Sequence, residues 1–136
     1  MIMDDSKRIE MFLGGSPFAV VGAPPARATD GNQVLRVYQQ NSREVYPVNP
    51  RAQEIEGLKA YADLASLPVV PHGISIITPP AVTEQVIEEA GELGVTHAWM
   101  QPGAESEAAV ERAKELGMNV IAGGPCILVV MGYTER

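Results

Sequence analysis

The chain has 136 residues, of which 46% are hydrophobic and 5% aromatic, with a net charge of −7 and one cysteine. That length suits one domain with an aliphatic core and excludes a disordered chain, while the acidic balance argues against nucleic acid and requires any bound phosphate to be held by local contacts. The longest apolar run, 126–131, is too short to cross a bilayer, the acidic start MIMDDSKRIE does not read as an export signal, and a lone cysteine excludes an intramolecular disulfide, so a cytoplasmic protein is expected.

In chain order, Ile9, Phe12 and Leu13 fall at i, i+3 and i+4 and predict a short amphipathic helix over 7–13, stopped by Gly14 and Gly15. The apolar run 18–21 predicts a buried strand that enters Gly22 directly. A loop of Ala, Pro and Arg then leads to a helix start near Gly31 and Asn32, with Asn32 as N-cap and Val34, Leu35 and Tyr38 on one side. Residues 43–48 read as a second strand closed by Asn49 and Pro50, which completes one strand–helix–strand unit.

Segment 51–72 is the least regular: 58–61 reads as a short extended piece, and Asp63 as the cap of a helical turn through Leu67. Regular alternation returns with a strand at 74–78, and Pro79 and Pro80 open a helix carrying Val82, Val86, Ile87, Ala90 and Leu93. That helix stops at Gly94. A strand at 95–100, a helix at 106–116 stopped by Gly117, a strand at 118–122 and an apolar run at 127–131 complete the pattern. The expected fold is α/β: a single three-layer Rossmann-like domain over 1–136, with a mostly parallel sheet of five or six strands and the N-terminal helix (1–15) packed on it. Ligands of such sheets sit beyond the carboxyl ends of the strands, where strand order reverses. Five strand ends should therefore converge: 22–24, 49–51, 78–80, 101–103 and 123–126.

A strand feeding a glycine turn and then a helix is how such folds build phosphate crevices, because glycine permits close backbone approach and the helix start offers unpaired N–H groups. The nicotinamide fingerprint is incomplete, since Gly22 stands alone until Gly31 and no acid ends the second strand. Arg51 keeps a 2′-phosphate, and hence NADP, open. No phosphate-loop signature of nucleotide hydrolases occurs. Arg27 and Arg51 lie near the expected mouth and are either phosphate partners or ordinary solvated charges. Cys126 follows a Gly-Gly-Pro turn and reads either as a nucleophile or as a small buried hydrophobe. His72 falls in a loop and His97 at a strand start, at the rim opposite Cys126, and their spacing predicts no metal site. Glu54, Glu56, Glu88, Glu89 and Glu92 read as solvated, and no carboxylate pair is placed for acid–base work.

Five motifs in order then carry a resemblance: FAVVGA with Gly31-Asn32, VYPVNPR (45–51), ITPPAVTEQV (77–86), AWMQPGA (98–104) and GGPCILV (123–129). Over about 18–130 the chain resembles the small stand-alone coenzyme A-binding domain proteins, which are similar to the N-terminal domain of the succinyl-CoA synthetase α-subunit. The resemblance implies CoA or an acyl-CoA as ligand, its nucleotide lying across the carboxyl edge of the sheet. Gly22, Ala23 and Pro24 would form the turn under the phosphates, with Arg27 and Asn32 beside it. Asn49, Pro50 and Arg51 would border the adenosine end, and Thr78, Pro79 and Pro80 a wall continued by Gln101 and Pro102. Cys126 matches a cysteine common near the family's C-terminus. Pro24 departs from a frequent serine, which removes a hydroxyl and an N–H from the turn. The synthetases' catalytic histidine lies in a domain without counterpart here, so the expectation is binding without catalysis. The alternatives are an NADP-dependent oxidoreductase, a Cys126-dependent acyl-transfer enzyme, and a regulatory or assembly module without ligand. The expected partner is a small nucleotide ligand rather than a membrane or nucleic acid, and assembly of identical chains stays open.

Overall fold

A computed structural model of the chain describes residues 5–23 and 30–134. Its centre is β1 (Phe18–Val21), four apolar residues that are all buried because the strand is flanked on both edges and covered on both faces. β1 pairs in parallel with β2 (Val45–Val48) on one side and with β5 (Gly73–Ile76) on the other. β6 (His97–Met100) and β7 (Asn119–Ile121) extend the sheet beyond β5, giving the order β2-β1-β5-β6-β7, all parallel. Five strands form this sheet. The chain winds one way from β1 to β2 and the other way from β5 onward, so strand order reverses between β1 and β5.

The strand period of two sends alternate side chains to opposite faces. Ala19, Val21, Ile74, Ile76, Ala98 and Met100 pack under α3 (Pro80–Leu93) and α4 (Glu107–Glu115). Phe18, Val20, Trp99 and Ile121 pack with α1 (Asp5–Leu13), α2 (Asp30–Gln40) and α5 (Ile127–Val130). Three layers result, as the alternation of elements predicts. Phe12 of α1 meets Trp99 edge-on with ring centroids 5.3 Å apart, and a Cβ on Gly73 would stand 2.7 Å from the Phe12 ring. Glycine at the start of β5 is therefore what lets α1 lie against the sheet.

Caps and breakers act largely where the sequence puts them. α3 starts with Pro80 at its first position and ends at Gly94, whose φ of 85° lets the helix close in the left-handed region. Ser106 caps α4 by accepting from the Ala109 N–H at 3.0 Å. Asp63 caps a 3-10 turn (Leu64–Ser66), accepting from the Ser66 N–H at 2.9 Å.

Several points differ from the sequence reading. α2 begins at Asp30, so Asn32 is not its cap but a fully buried residue inside it. The irregular segment holds an antiparallel hairpin, β3 (Glu54–Ile55) and β4 (Leu58–Lys59), rather than one extended piece. The apolar run after Pro125 turns into α5, anchored where Trp99 Nε1 donates to the Pro125 carbonyl at 3.0 Å. Glu56 is not a solvated residue either, because its carboxylate pairs with Arg36 at 3.4 Å and both side chains are under 10% exposed. Pro47 sits inside β2 without breaking it, since β2 is an edge strand and can forgo one ladder donor.

Candidate functional site

The ends of β1, β2, β5 and β6 converge on two cavities that flank the reversal of strand order, while Ala122 and Gly123 after β7 line a separate one against α4. The first, of about 400 Å3, lies beyond β2, β1 and β5. Gly22, Asn49, Pro50, Arg51, Thr78 and Pro79, all singled out from the sequence, line it. The second, of about 220 Å3, lies between β5, β6, α2 and α5 and is lined by Gln101, Pro102 and Cys126 together with Val34, Ile77 and Leu128. Ile77 borders both. The two cavities are neighbours across one side chain.

Hydrogen bonds that continue the ladder past the strands hold the first cavity's floor. Gly22 N–H donates to the Val48 carbonyl at 3.1 Å and Ile77 N–H to the Val21 carbonyl at 2.9 Å. Asn49 ties two strand ends together. Its Nδ2 donates to the Ala23 carbonyl at 2.9 Å and its Oδ1 accepts from the Arg51 N–H at 2.8 Å. Its polar side-chain atoms are thus engaged within the protein, and Asn49 acts by positioning Ala23 and Arg51. Arg51 itself is exposed at the rim. Thr78 Oγ1 and Thr83 Oγ1 lie 2.8 Å apart, which fixes the turn into α3. Pro79 and Pro80 carry no N–H, so this wall offers ring surface instead of donors.

The remaining residues of the expected site fall differently. Ala23 is fully buried and touches the site through its carbonyl, Asn32 is buried in α2, and Pro80 is exposed beside the first cavity. Pro24 and Arg27 lie outside the described residues.

Sequence reasoning missed the outer wall. Asp63 and Glu89 line the first cavity, joined by Val82, Gln85 and Val86. Glu89 Oε1 accepts from the Leu64 N–H at 3.4 Å, so this carboxylate pins the 3-10 turn to α3 rather than being merely solvated. A usable signal existed. Val82, Gln85, Val86 and Glu89 follow i, i+3, i+4, i+7, a stripe that is half apolar and half polar and so suits a helix face bordering a cavity.

Cys126 is half-buried at the carboxyl edge, while His72 and His97 stand at the amino ends of β5 and β6. The histidine rings pack against each other with centroids 4.2 Å apart, a pairing their spacing of 25 positions conceals. Burial, and secondarily the neighbouring His72, hold His97 below the usual histidine range. Among the described residues no three of His, Cys, Asp and Glu gather closely enough to hold a metal ion, and no helix is long and apolar enough to cross a membrane.

The family model described as "CoA binding domain" matches residues 16–132. The α-subunit of an ADP-forming acetate–CoA ligase II from Pyrococcus furiosus is 29% identical over 130 residues, covering 88% of this chain and 28% of the subunit. The uncharacterized protein YneT of Bacillus subtilis is 32% identical over 137 residues, covering 98% of this chain and 92% of that protein. Among solved structures, a conserved hypothetical protein from Pyrococcus furiosus superposes with a TM-score of 0.78 at 41% identity, covering 83% of this chain and 97% of the other. The chain spans between 14% and 28% of the length of four curated CoA ligase and synthase relatives. Its match is to their CoA-binding part, and the chain belongs to the CoA-binding domain family.

Proposed function

We propose that the chain, acting as one domain, binds coenzyme A or an acyl-CoA by its nucleotide portion in the first cavity and does no chemistry on it alone. The observation that carries this reading is the position of the cavity: it opens at the reversal of strand order, lined by the turns after β1, β2 and β5, in a chain of the CoA-binding domain family. Its volume of about 400 Å3 lies within the range of small-molecule sites.

Charge orients the ligand. Asp63 and Glu89 would repel phosphates and accept from ribose hydroxyls or an adenine amino group, so the sugar and base belong against the 3-10 turn and α3. The phosphates belong away from these carboxylates, toward Gly22, with Arg51 as a cation; Arg27, outside the described residues, is a second candidate from the sequence alone. Proline rings at 79 and 80 supply flat apolar surface for a base. The separation of Cys126 from both histidines, at opposite ends of the sheet, supports binding without thiol catalysis.

Calorimetric titration of Arg51→Ala and Arg27→Ala with CoA tests the assignment. Each loss of a charge-assisted contact should weaken binding about tenfold. If both variants bind CoA as the native chain does, the site is wrongly placed.

A further inference from the structure

Gln101, in the wall of the second cavity, carries an unpaired donor. Gln101 is 4% exposed, its Oε1 accepts from the Ile127 N–H at 3.1 Å, and its Nε2 is buried with no hydrogen-bond partner among the described residues. A buried amide N–H without an acceptor is costly, and native proteins keep few of them. The rest of the lining is uncharged: Val34, Ile77, Pro102, Leu128 and the Cys126 thiol. At about 220 Å3 the space falls below the roughly 300 Å3 at which sites begin to enclose whole ligands, so it suits the end of a chain. Ile77 places that space beside the first cavity.

From these observations we infer that the second cavity receives the acyl end of a thioester, its carbonyl oxygen accepting from Gln101 Nε2 and its short acyl group lying against Val34 and Leu128. This rests on the nucleotide reading above and names the acyl-thioester form as the preferred ligand. A free thiol end is a weak acceptor and would leave Nε2 unsatisfied, whereas a thioester brings both an acceptor and the apolar group that the walls fit. The amide carbonyls of the CoA arm share this chemistry, and the two sources separate by measurement.

The test titrates the native chain, Gln101→Glu and Gln101→Met with adenosine 3′,5′-bisphosphate, CoA and acetyl-CoA. Gln101→Glu keeps the acceptor for the Ile127 N–H and replaces only the donor; Gln101→Met removes both, and thermal melts check that each variant folds. The expected result is acetyl-CoA binding about tenfold more tightly than CoA to the native chain, with that preference lost in both variants and the bisphosphate affinity unchanged. Equal affinity of the native chain for CoA and acetyl-CoA overturns the inference by itself, whatever the variants do. So does a preference that survives in both variants. A weakening shared equally by CoA and acetyl-CoA also overturns it, by assigning Gln101 to an amide carbonyl of the arm. In all three cases bound bisphosphate leaves the nucleotide reading standing, and failure to bind any of the three ligands overturns that reading as well.

Discussion

At Gly22 the backbone φ is 108°, and a Cβ would stand 2.9 Å from Thr78 Cγ2 and 3.2 Å from the Ile77 carbonyl carbon. Both facts belong to the fold: two neighbouring parallel strands end together and their turns must pass closely. The sequence makes this glycine look like a ligand contact, yet its requirement is already complete without one. Gly22→Ala should therefore cost stability even with the cavity empty, by about 1–3 kcal/mol from the left-handed backbone and the crowding. Chemical denaturation checks this; a variant as stable as the native chain would mean that the turn can relax. Arg51 is the converse case. Nothing among the described contacts engages its side chain, while its backbone N–H is held by Asn49, so the fold fixes where the guanidinium starts and leaves it available for the proposed phosphate contact.

Among the elements, α1 is held to the sheet by polar contacts to its carbonyls as well as by Phe12. His72 Nε2 donates to the Phe12 carbonyl at 3.0 Å, Arg43 donates to the Leu13 carbonyl, and Asn119 Nδ2 donates to the Arg8 carbonyl at 2.9 Å. The same Asn119 amide donates to His97 Nδ1 at 3.0 Å. Since the bond to Arg8 fixes that amide's orientation, His97 must present a lone pair and be neutral at Nδ1. Protonation would set two donors face to face, in a half-buried setting beside His72. The folded state thus binds this proton less readily than the unfolded chain does, so stability should fall as pH drops below the ordinary value of about 6.5. Replacing His97 with Gln should shrink the difference in melting temperature between pH 7.5 and pH 5.5; an unchanged difference would show that His97 titrates normally.

How much of this was legible depended on whether the cause was local. β1 reads directly from four consecutive apolar residues ending at glycine, and α3 from two prolines before and a glycine after it. The fate of the run after Pro125 was not local. Ile-Leu-Val-Val has strand propensity, but the Trp99 and Gln101 side chains bind the Pro125 carbonyl and the Ile127 N–H and turn it into a helix across the end of the sheet. The histidine pair and the Asp63–Glu89 wall were hidden for the same reason, because each joins residues from distant strands or helices.

For the molecule as a whole, one geometric fact organises the account. The sheet reverses its strand order between β1 and β5, and a larger cavity with two carboxylates and an arginine at its rim adjoins a smaller, uncharged one with a buried amide donor. A net charge of −7 provides no long-range attraction for a polyphosphate, so the proposed binding has to rest on contacts inside these cavities. NADPH shares the adenosine and pyrophosphate of CoA but carries its ribose phosphate on the 2′ rather than the 3′ oxygen, and a bulky ribose–dihydronicotinamide where CoA carries a slender neutral arm. The measurement that bears most directly on the account is a paired calorimetric titration of the native chain with CoA and with NADPH. CoA should bind one-to-one and roughly 100-fold more tightly than NADPH, a difference of about 2.7 kcal/mol. Absent CoA binding, or equal affinity for the two, would contradict it.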